Sequence, residues 1–235
     1  KLWNAGIHDW ELFIQSAEIP LSKKKVASII PVLEESTRHL ATGNPHYFVQ
    51  YLPVSQYWRL FPHFRNTIAY VDIETTGLEN WCNEITTIAL YDGQTVRTYV
   101  NGQNLDEFVR DIEQFKIVVT YNGRCFDVPF IEKHFGIRMN HVHIDLRFLL
   151  KSLGFSGGLK GCERQIGIDR GDLSDIDGYY AVILWNEYRR TGNEEKLKLL
   201  LDYNSADARN LESLLVKAYN MKLKDTPFYE SNKIM

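Results

Sequence analysis

The chain predicts an α/β domain in which a mixed β-sheet is flanked by α-helices and preceded by a small N-terminal helical segment. Three observations predict it. Ile68–Glu74, Glu84–Tyr91 and Thr95–Val100 are consecutive β-branched and aromatic runs, which read as strands. Asp92-Gly93 marks a tight hairpin turn between the second and third of them, so this part of the sheet is antiparallel. Beyond residue 105, helical and strand-like patterns alternate before helices take over, a succession that adds crossover strands to the same sheet.

Residues 1–66 form the helical preface. Trp3, Ile7, Trp10 and Ile14 recur at helical spacing, and Val26, Ile29, Ile30 and Leu33 make a second stripe, interrupted by Pro31 and closed by Gly43-Asn44-Pro45. The run Tyr57–Arg65 mixes aromatic and basic residues that would either stack bases or dock the preface onto the domain behind it. In the domain at 67–220, the three strands are followed by a helix near 105–114, a buried strand at 117–121, a short helix at 128–135 and one more strand at 143–145. Helices are then expected over 146–153, 159–166, 179–191 and 194–218, with 221–235 left as a C-terminal tail.

At 235 residues the chain can bury a sizeable core, and its net charge of −3 identifies no partner class. The three cysteines, Cys82, Cys125 and Cys162, are an odd number without close spacing. They argue against a disulfide framework or a structural zinc site and make a reducing cytoplasm the expectation. No apolar run reaches the ~18 residues of a membrane span. The start, Lys1-Leu2-Trp3-Asn4, carries neither an initiator Met nor a signal-peptide core, so the chain reads as a segment of something longer.

Chemistry concentrates at three stations. Asp72 and Glu74 end the first strand and, being two apart, point to one face. Two such carboxylates repel unless a cation lies between them, and hard oxygen donors suit Mg²⁺ or Mn²⁺; by themselves they are equally well a solvated strand end. Thr75-Thr76-Gly77-Leu78 follows as a turn. The second station, Asn122 and Phe126-Asp127, lies just beyond the carboxyl end of the buried strand, where open α/β sheets hold ligands. Asp127 would serve there as a ligand or as the cap of the next helix, and Asn122 as a contact or a turn residue. At the third, a spacing of four puts Tyr203 and Asp207 on one helical face. Any single station has an ordinary structural reading, but three in one chain favour a metal site.

Taken together, Asp72-Ile73-Glu74-Thr75-Thr76-Gly77, Asn122 with Phe126-Asp127, and Tyr203-x-x-x-Asp207 resemble motifs one, two and three of the DEDD (DnaQ-like) exonucleases of the ribonuclease H-like superfamily. The tyrosine resembles the DEDDy branch. Leu2–Ile7, Tyr121-Asn122-Gly123, His143–Leu146 and Tyr203-Asn204 are also similar to the predicted YprB-like exonucleases, which often carry His where this chain has Tyr203. The motif match covers about residues 67–218.

The resemblance implies a ribonuclease H-like fold and a metal-dependent 3′–5′ exonuclease that releases nucleoside 5′-monophosphates from single-stranded or frayed DNA or RNA ends. Asp72, Glu74, Asp127 and Asp207 would hold two divalent cations, Mg²⁺ or Mn²⁺, with Asp72 bridging, Glu74 and Asp207 on the nucleophile-side ion and Asp127 acting directly or through water. Tyr203 would hydrogen-bond the attacking water, since a phenol is a poor base at neutral pH. Thr75, Thr76, Gly77 and Leu78 would embrace the terminal nucleotide, and Asn122 would contact substrate. The alternative is a catalytically silent ribonuclease H-like module that binds nucleic acid within a larger repair or helicase system. The N-terminal helical segment is a candidate surface for a protein partner; no membrane partner is expected.

From 116 to 170, nine Lys and Arg face five acids, so the neighbourhood of the site is basic. Lys160, Arg164 and Arg147 are candidates for phosphate contacts or, equally, a solvated face. Asp169–Gly178 fails the EF-hand pattern at Leu173 and Leu184 and reads as a turn followed by a helix cap. Asp145 reads as an auxiliary site residue or a helix start.

Overall fold

The computed structural model describes residues 1–173 and 177–234, with the side chain of Asp172 also outside the description. The preface contains α1 (Trp10–Gln15), α2 (Lys23–Ala41), 3₁₀ turns at Pro45–Gln50 and Val54–Leu60, and the single turn α3 (Phe61–Phe64). The stripe from Trp3 to Ile14 does not form one helix. Gly6, at φ 75°, ends a 3₁₀ turn, and Asp9 caps α1 by accepting the Leu12 N–H at 2.7 Å. Pro31 does not interrupt α2 either: the helix runs through it from the Ser22 cap to Ala41. Pro31 sits on the exposed side, where water can serve the carbonyl that loses its amide partner.

The sheet comprises β1 (Ile68–Thr75), β2 (Ile85–Tyr91), β3 (Val96–Val100), β4 (Ile117–Thr120) and β5 (Val142–Asp145) in the order β3-β2-β1-β4-β5. β2 runs antiparallel to both β1 and β3, whereas β1, β4 and β5 are parallel. The helices are α4 (Glu107–Ile112), α5 (Asp127–Phe135), α6 (Leu146–Lys151), α7 (Gly158–Ile166), α8 (Gly178–Thr191), α9 (Glu194–Leu223) and α10 (Tyr229–Asn232). The expected mixed sheet flanked by helices is therefore what forms, with α9 longer than its pattern suggested.

The alternation of strand side chains sorts the core into two layers. Ala69, Val71 and Ile73 of β1 face α4 and α5 through Phe108, Ile112, Phe130 and Ile131. Ile68 and Tyr70 face the other way, toward Leu211, Leu214, Leu215 and Ala218 of α9. That leucine stripe repeats at helical spacing, and each fully buried leucine contributes roughly 1.5–3 kcal/mol. Asp72 and Glu74 continue the α9-facing line of β1, so the pleat that buries Ile68 and Tyr70 also delivers both acids beneath α9.

Trp58, Phe61 and Phe64 are buried in this same layer, and Trp58 meets Tyr219 edge-to-face at 5.7 Å. Of the two readings of the aromatic run 57–65, docking of the preface is the one these three rings adopt. Phe228, Tyr229 and Ile234 return to the layer after α9, held by paired Asn220–Ile234 hydrogen bonds of 2.7 and 2.9 Å. No helix among the described residues is long and apolar enough to cross a membrane.

Pro31→Ala restores one helical hydrogen bond and removes a ring clash, so α2 gains about 1–3 kcal/mol. Amide hydrogen exchange across 27–35 is expected to slow by about tenfold or more; an unchanged rate would show that the turn is already fully accommodated.

Candidate metal centre

β1 ends where α9 crosses it, and the two elements bring their polar residues to one place. One carboxylate oxygen from each of Asp72, Glu74 and Asp207 lies within 4.8 Å of the other two, a spacing that bound cations can span. Tyr203, one turn before Asp207 on α9, is buried beside them. Asp127 stands outside this tight triad but close enough for its charge to raise both Asp72 and Glu74. It is the first residue of α5, with Phe126 in the cap position and no side-chain cap on the helix. Asp127 is 4% exposed, and its carboxylate is favoured by backbone N–H groups, first its own and then that of Ile73 in β1.

The loop that aims Asp127 is tightly specified. Among the described residues, Asn122 is the only non-glycine with positive φ, at 67°, a conformation that Asn tolerates better than most. A Cβ on Gly123 would lie 2.2 Å from Thr120 Oγ1, which accepts the Gly123 N–H at 3.1 Å. Asp145 clamps the loop, accepting from Asn122 N at 2.8 Å and Arg124 N at 3.1 Å, while also capping α6 through Arg147 N at 3.0 Å. Asp145 thus both starts a helix and supports the site. Asn122 Oδ1 accepts from Arg147 Nη1.

Two further residues escaped the spacing arguments. Asn204, 0% exposed, donates to Asp72 Oδ2 at 2.7 Å and to the Asp72 carbonyl at 3.1 Å, and accepts from Thr87 Oγ1 at 3.0 Å. It therefore fixes the orientation of Asp72 from both α9 and β2. Its one signal was an amide interrupting the apolar stripe Leu197, Leu200, Ala208, Leu211. Arg170 is the second. Its guanidinium is buried, pairs with Asp207 Oδ1 and with both oxygens of buried Glu163, and Glu163 also accepts from Asn210 at 2.9 Å. The ionic contact leaves Asp207 Oδ1 and Arg170 Nη1 without hydrogen-bond partners among the described residues. No local pattern in Asp169-Arg170-Gly171 announces this role.

The turn after β1 forms a lip beside the carboxylates. Thr75 Oγ1 donates to the Gly77 carbonyl at 2.6 Å, and Thr76 is tied to the Asn83-Glu84 segment through its backbone and hydroxyl. A Cβ on Gly77 would strike the Asn83 amide at 2.6 Å. Leu78 stands 84% exposed at the tip. Opposite, Lys160 of α7 places its Nζ 5.1 Å from the centre of the Tyr203 ring. Arg164 is exposed and makes no ion pair among the described residues. Of the segment 169–178, Asp177 caps α8 by accepting from Tyr180 N at 2.8 Å; residues 174–176 lie outside the described residues.

Burial is the main cause of the electrostatics here. It raises Asp72 and Glu74 well above the usual carboxylate range, aided on both by repulsion from Asp207 and Asp127 and on Asp72 also by Glu74. It lifts Asp127 to about 7 and Asp207 to about 6, with Arg170 pulling Asp207 back down. Tyr203 is pushed above the usual phenol range, first by burial and then by the surrounding acids, so its hydroxyl stays protonated and can only donate to a nearby anion or accept from a donor. Four acids with raised proton affinity in one dry place are a set of hard oxygen donors lacking sufficient positive charge, which fits divalent cations.

Because the folded chain holds protons here that the unfolded chain releases, metal-free stability falls as pH rises from about 4 through about 7. The urea midpoint in EDTA is expected to be higher near pH 5 than near pH 8, and both Asp127→Asn and added Mg²⁺ should shrink that difference; a midpoint equally pH-dependent in Asp127→Asn would contradict it. Arg170→Met strands buried Glu163 and Asp207 and should cost about 3–5 kcal/mol in urea denaturation. Adding Glu163→Gln should recover part of that loss.

Comparison with known proteins adds family and fold. A search of curated proteins finds no match to the chain. Among solved structures, the family B DNA polymerase from the hyperthermophilic archaeon Pyrobaculum calidifontis superposes with a TM-score of 0.52 at 15% identity, over 72% of this chain and 27% of the polymerase. At that identity the likeness concerns the fold, and this chain spans about a quarter of the polymerase's length. The model of the RNase_H_2 family, described as RNase_H superfamily, matches residues 69–219, from the start of β1 to the far part of α9. The chain belongs to the RNase H superfamily.

Proposed function

We propose that the chain is a metal-dependent 3′–5′ exonuclease of the DEDDy type, close to the YprB-like group, acting on single-stranded or frayed DNA or RNA ends. The observation that carries this reading is the convergence of Asp72, Glu74 and Asp207 within 4.8 Å, with Asp127 electrostatically coupled to them. Asp72, Glu74, Asp127 and Asp207 would hold two divalent cations, Mg²⁺ or Mn²⁺; when bound, these supply an activated water and neutralise charge developing on the phosphoryl and leaving oxygens. Asn204 keeps the Asp72 carboxylate turned toward the centre. Tyr203, held protonated, orients the attacking water by hydrogen bonding and does not remove its proton. Thr75, Thr76, Gly77 and exposed Leu78 grip the terminal nucleotide through backbone groups and an apolar wedge, which read no base identity. Asn122, held by Arg147, is a further contact to the substrate. Cleavage of the last phosphodiester would release a nucleoside 5′-monophosphate.

Three free cysteines support a reducing, cytoplasmic setting. The competing reading, a silent nucleic-acid-binding module, draws on Arg170, which already places positive charge against Asp207. The two diverge in digestion of end-labelled single- and double-stranded DNA and RNA with Mg²⁺ or Mn²⁺. Mononucleotide release from 3′ ends is expected, with a loss of about a hundredfold or more in Asp207→Asn. Tyr203→Phe should slow release by about ten- to a hundredfold with metal binding retained. Absence of release from every substrate would leave the silent module, and an undiminished rate in Tyr203→Phe would remove Tyr203 from the mechanism.

A further inference from the structure

We propose that the cavity between α6 and α7 is a subsite for the nucleotides that precede the terminal one in a single-stranded polynucleotide; the inference rests on the exonuclease reading for the identity of the terminal site. The cavity has a volume of about 570 Å³ and is bordered by Tyr121, Asn122, Arg147, Lys151, Phe155 and Gly158. That volume falls within the roughly 300–1,000 Å³ of small-ligand sites.

Its lining pairs two kinds of side chain that single-strand binding requires. Arg147 and Lys151 lie one turn apart on α6, are both exposed and border the same opening. Arg147 spends one Nη1 hydrogen bond on Asn122 Oδ1, which fixes the guanidinium at the cavity wall with other donors left over. The Lys151 ammonium has no hydrogen bond or ion pair among the described residues. Tyr121 and Phe155 are half-buried, packed on the core at one side and bordering the cavity on the other, as stacking platforms are. α7 begins at the cavity edge with Gly157 as its cap residue and no side-chain cap. Among the described residues, no acidic side chain lines the cavity. Its chemistry is therefore that of aromatic faces and cations, which suits bases and phosphates in sequence-blind fashion.

Its location defines a path. The carboxylates sit at the end of β1, Asn122 follows the neighbouring strand β4, and α6 follows β5, the strand beyond. Moving outward from β1 across β4 to β5, a strand would meet Asn122, then Arg147 and Lys151. Asn122 borders the cavity and opens the loop that carries Asp127, so occupancy of the outer subsite reaches the centre through one short segment.

The test uses fluorescence anisotropy with an oligothymidylate and an oligouridylate of about eight nucleotides, in Ca²⁺ to slow turnover. Lys151→Ala is expected to weaken binding by several-fold and to lower the slope of log affinity against log salt by about 0.7. Arg147→Ala should act in the same direction, and Phe155→Ala should weaken binding by about tenfold with the salt slope unchanged. Lys24→Ala, which removes an exposed cation from the preface, serves as the charge-matched control and should leave binding as it was. Binding and salt slope that stay the same in both Lys151→Ala and Phe155→Ala would overturn the subsite. Hydrolysis of the p-nitrophenyl ester of thymidine 5′-monophosphate by the unaltered chain with Mn²⁺ reports the centre alone. A chain that leaves the ester intact but binds oligonucleotides through Lys151 and Phe155 keeps the subsite and loses the exonuclease reading; the reverse pattern loses only the subsite.

Discussion

Like charge held in a dry space is the constraint on which the rest of this structure depends. Asp72, Glu74, Asp127 and Asp207 crowd a buried region between β1, α5 and α9, and charges ~4 Å apart at an effective dielectric of ~20 repel by about 4 kcal/mol. Such a group cannot stay folded and fully ionised without compensation. Protons, the guanidinium of Arg170 and divalent cations are three sources of it. Arg170 pairs directly with Asp207 and, together with Lys160, draws Glu74 down from a distance, so it offsets one edge of the cluster and leaves Asp72 above all to the others. The long α9 is part of the same solution: its leucine stripe anchors one half of the helix on the core, and that anchor holds Tyr203, Asn204 and Asp207 against repulsion.

Around the charged residues lies a second set whose work is purely orientational. Asn204 ties Asp72 to β2 and α9 at once, Asp145 gathers the backbone of the 122–124 loop, and Glu163 fixes Arg170. The first two join elements far apart in sequence, and Glu163 is in turn held by Asn210 of α9, so the donor geometry is set by tertiary packing and not by any one strand or helix. Preorganisation of this kind matters where a site must hold charge without reorganising.

The sheet was legible because its strands are short β-branched runs with clear turns, and the helices after residue 145 because their apolar periodicity is long. The four carboxylates and Tyr203 were visible as motifs since each occupies a spacing that makes sense within its own element. Asn204, Arg170 and Glu163 were not, because Asn204 meets Asp72, Arg170 meets Asp207 and Glu163 meets Asn210 across long stretches of chain, and no local spacing encodes a contact over such an interval. Pro31 misled for a related reason: a proline's helix-breaking tendency is local, whereas its tolerance depends on which side of the helix meets water. The preface likewise revealed its rings but not that Trp58, Phe61 and Phe64 would be consumed as core.

The ladder between β1 and β2 shifts register directly after Glu74, where Thr75 pairs with Ile85 and Thr86 is left over. Everything on the carboxylate side of that break is locked in ordinary pairing, while the segment from Thr76 to Glu84 starts from a fresh alignment. Changes in the length or composition of that segment can accordingly be absorbed without sliding Asp72 or Glu74 along the strand. The irregularity separates the segment that forms the exposed lip from the strand that holds the carboxylates, so a change in one need not displace the other.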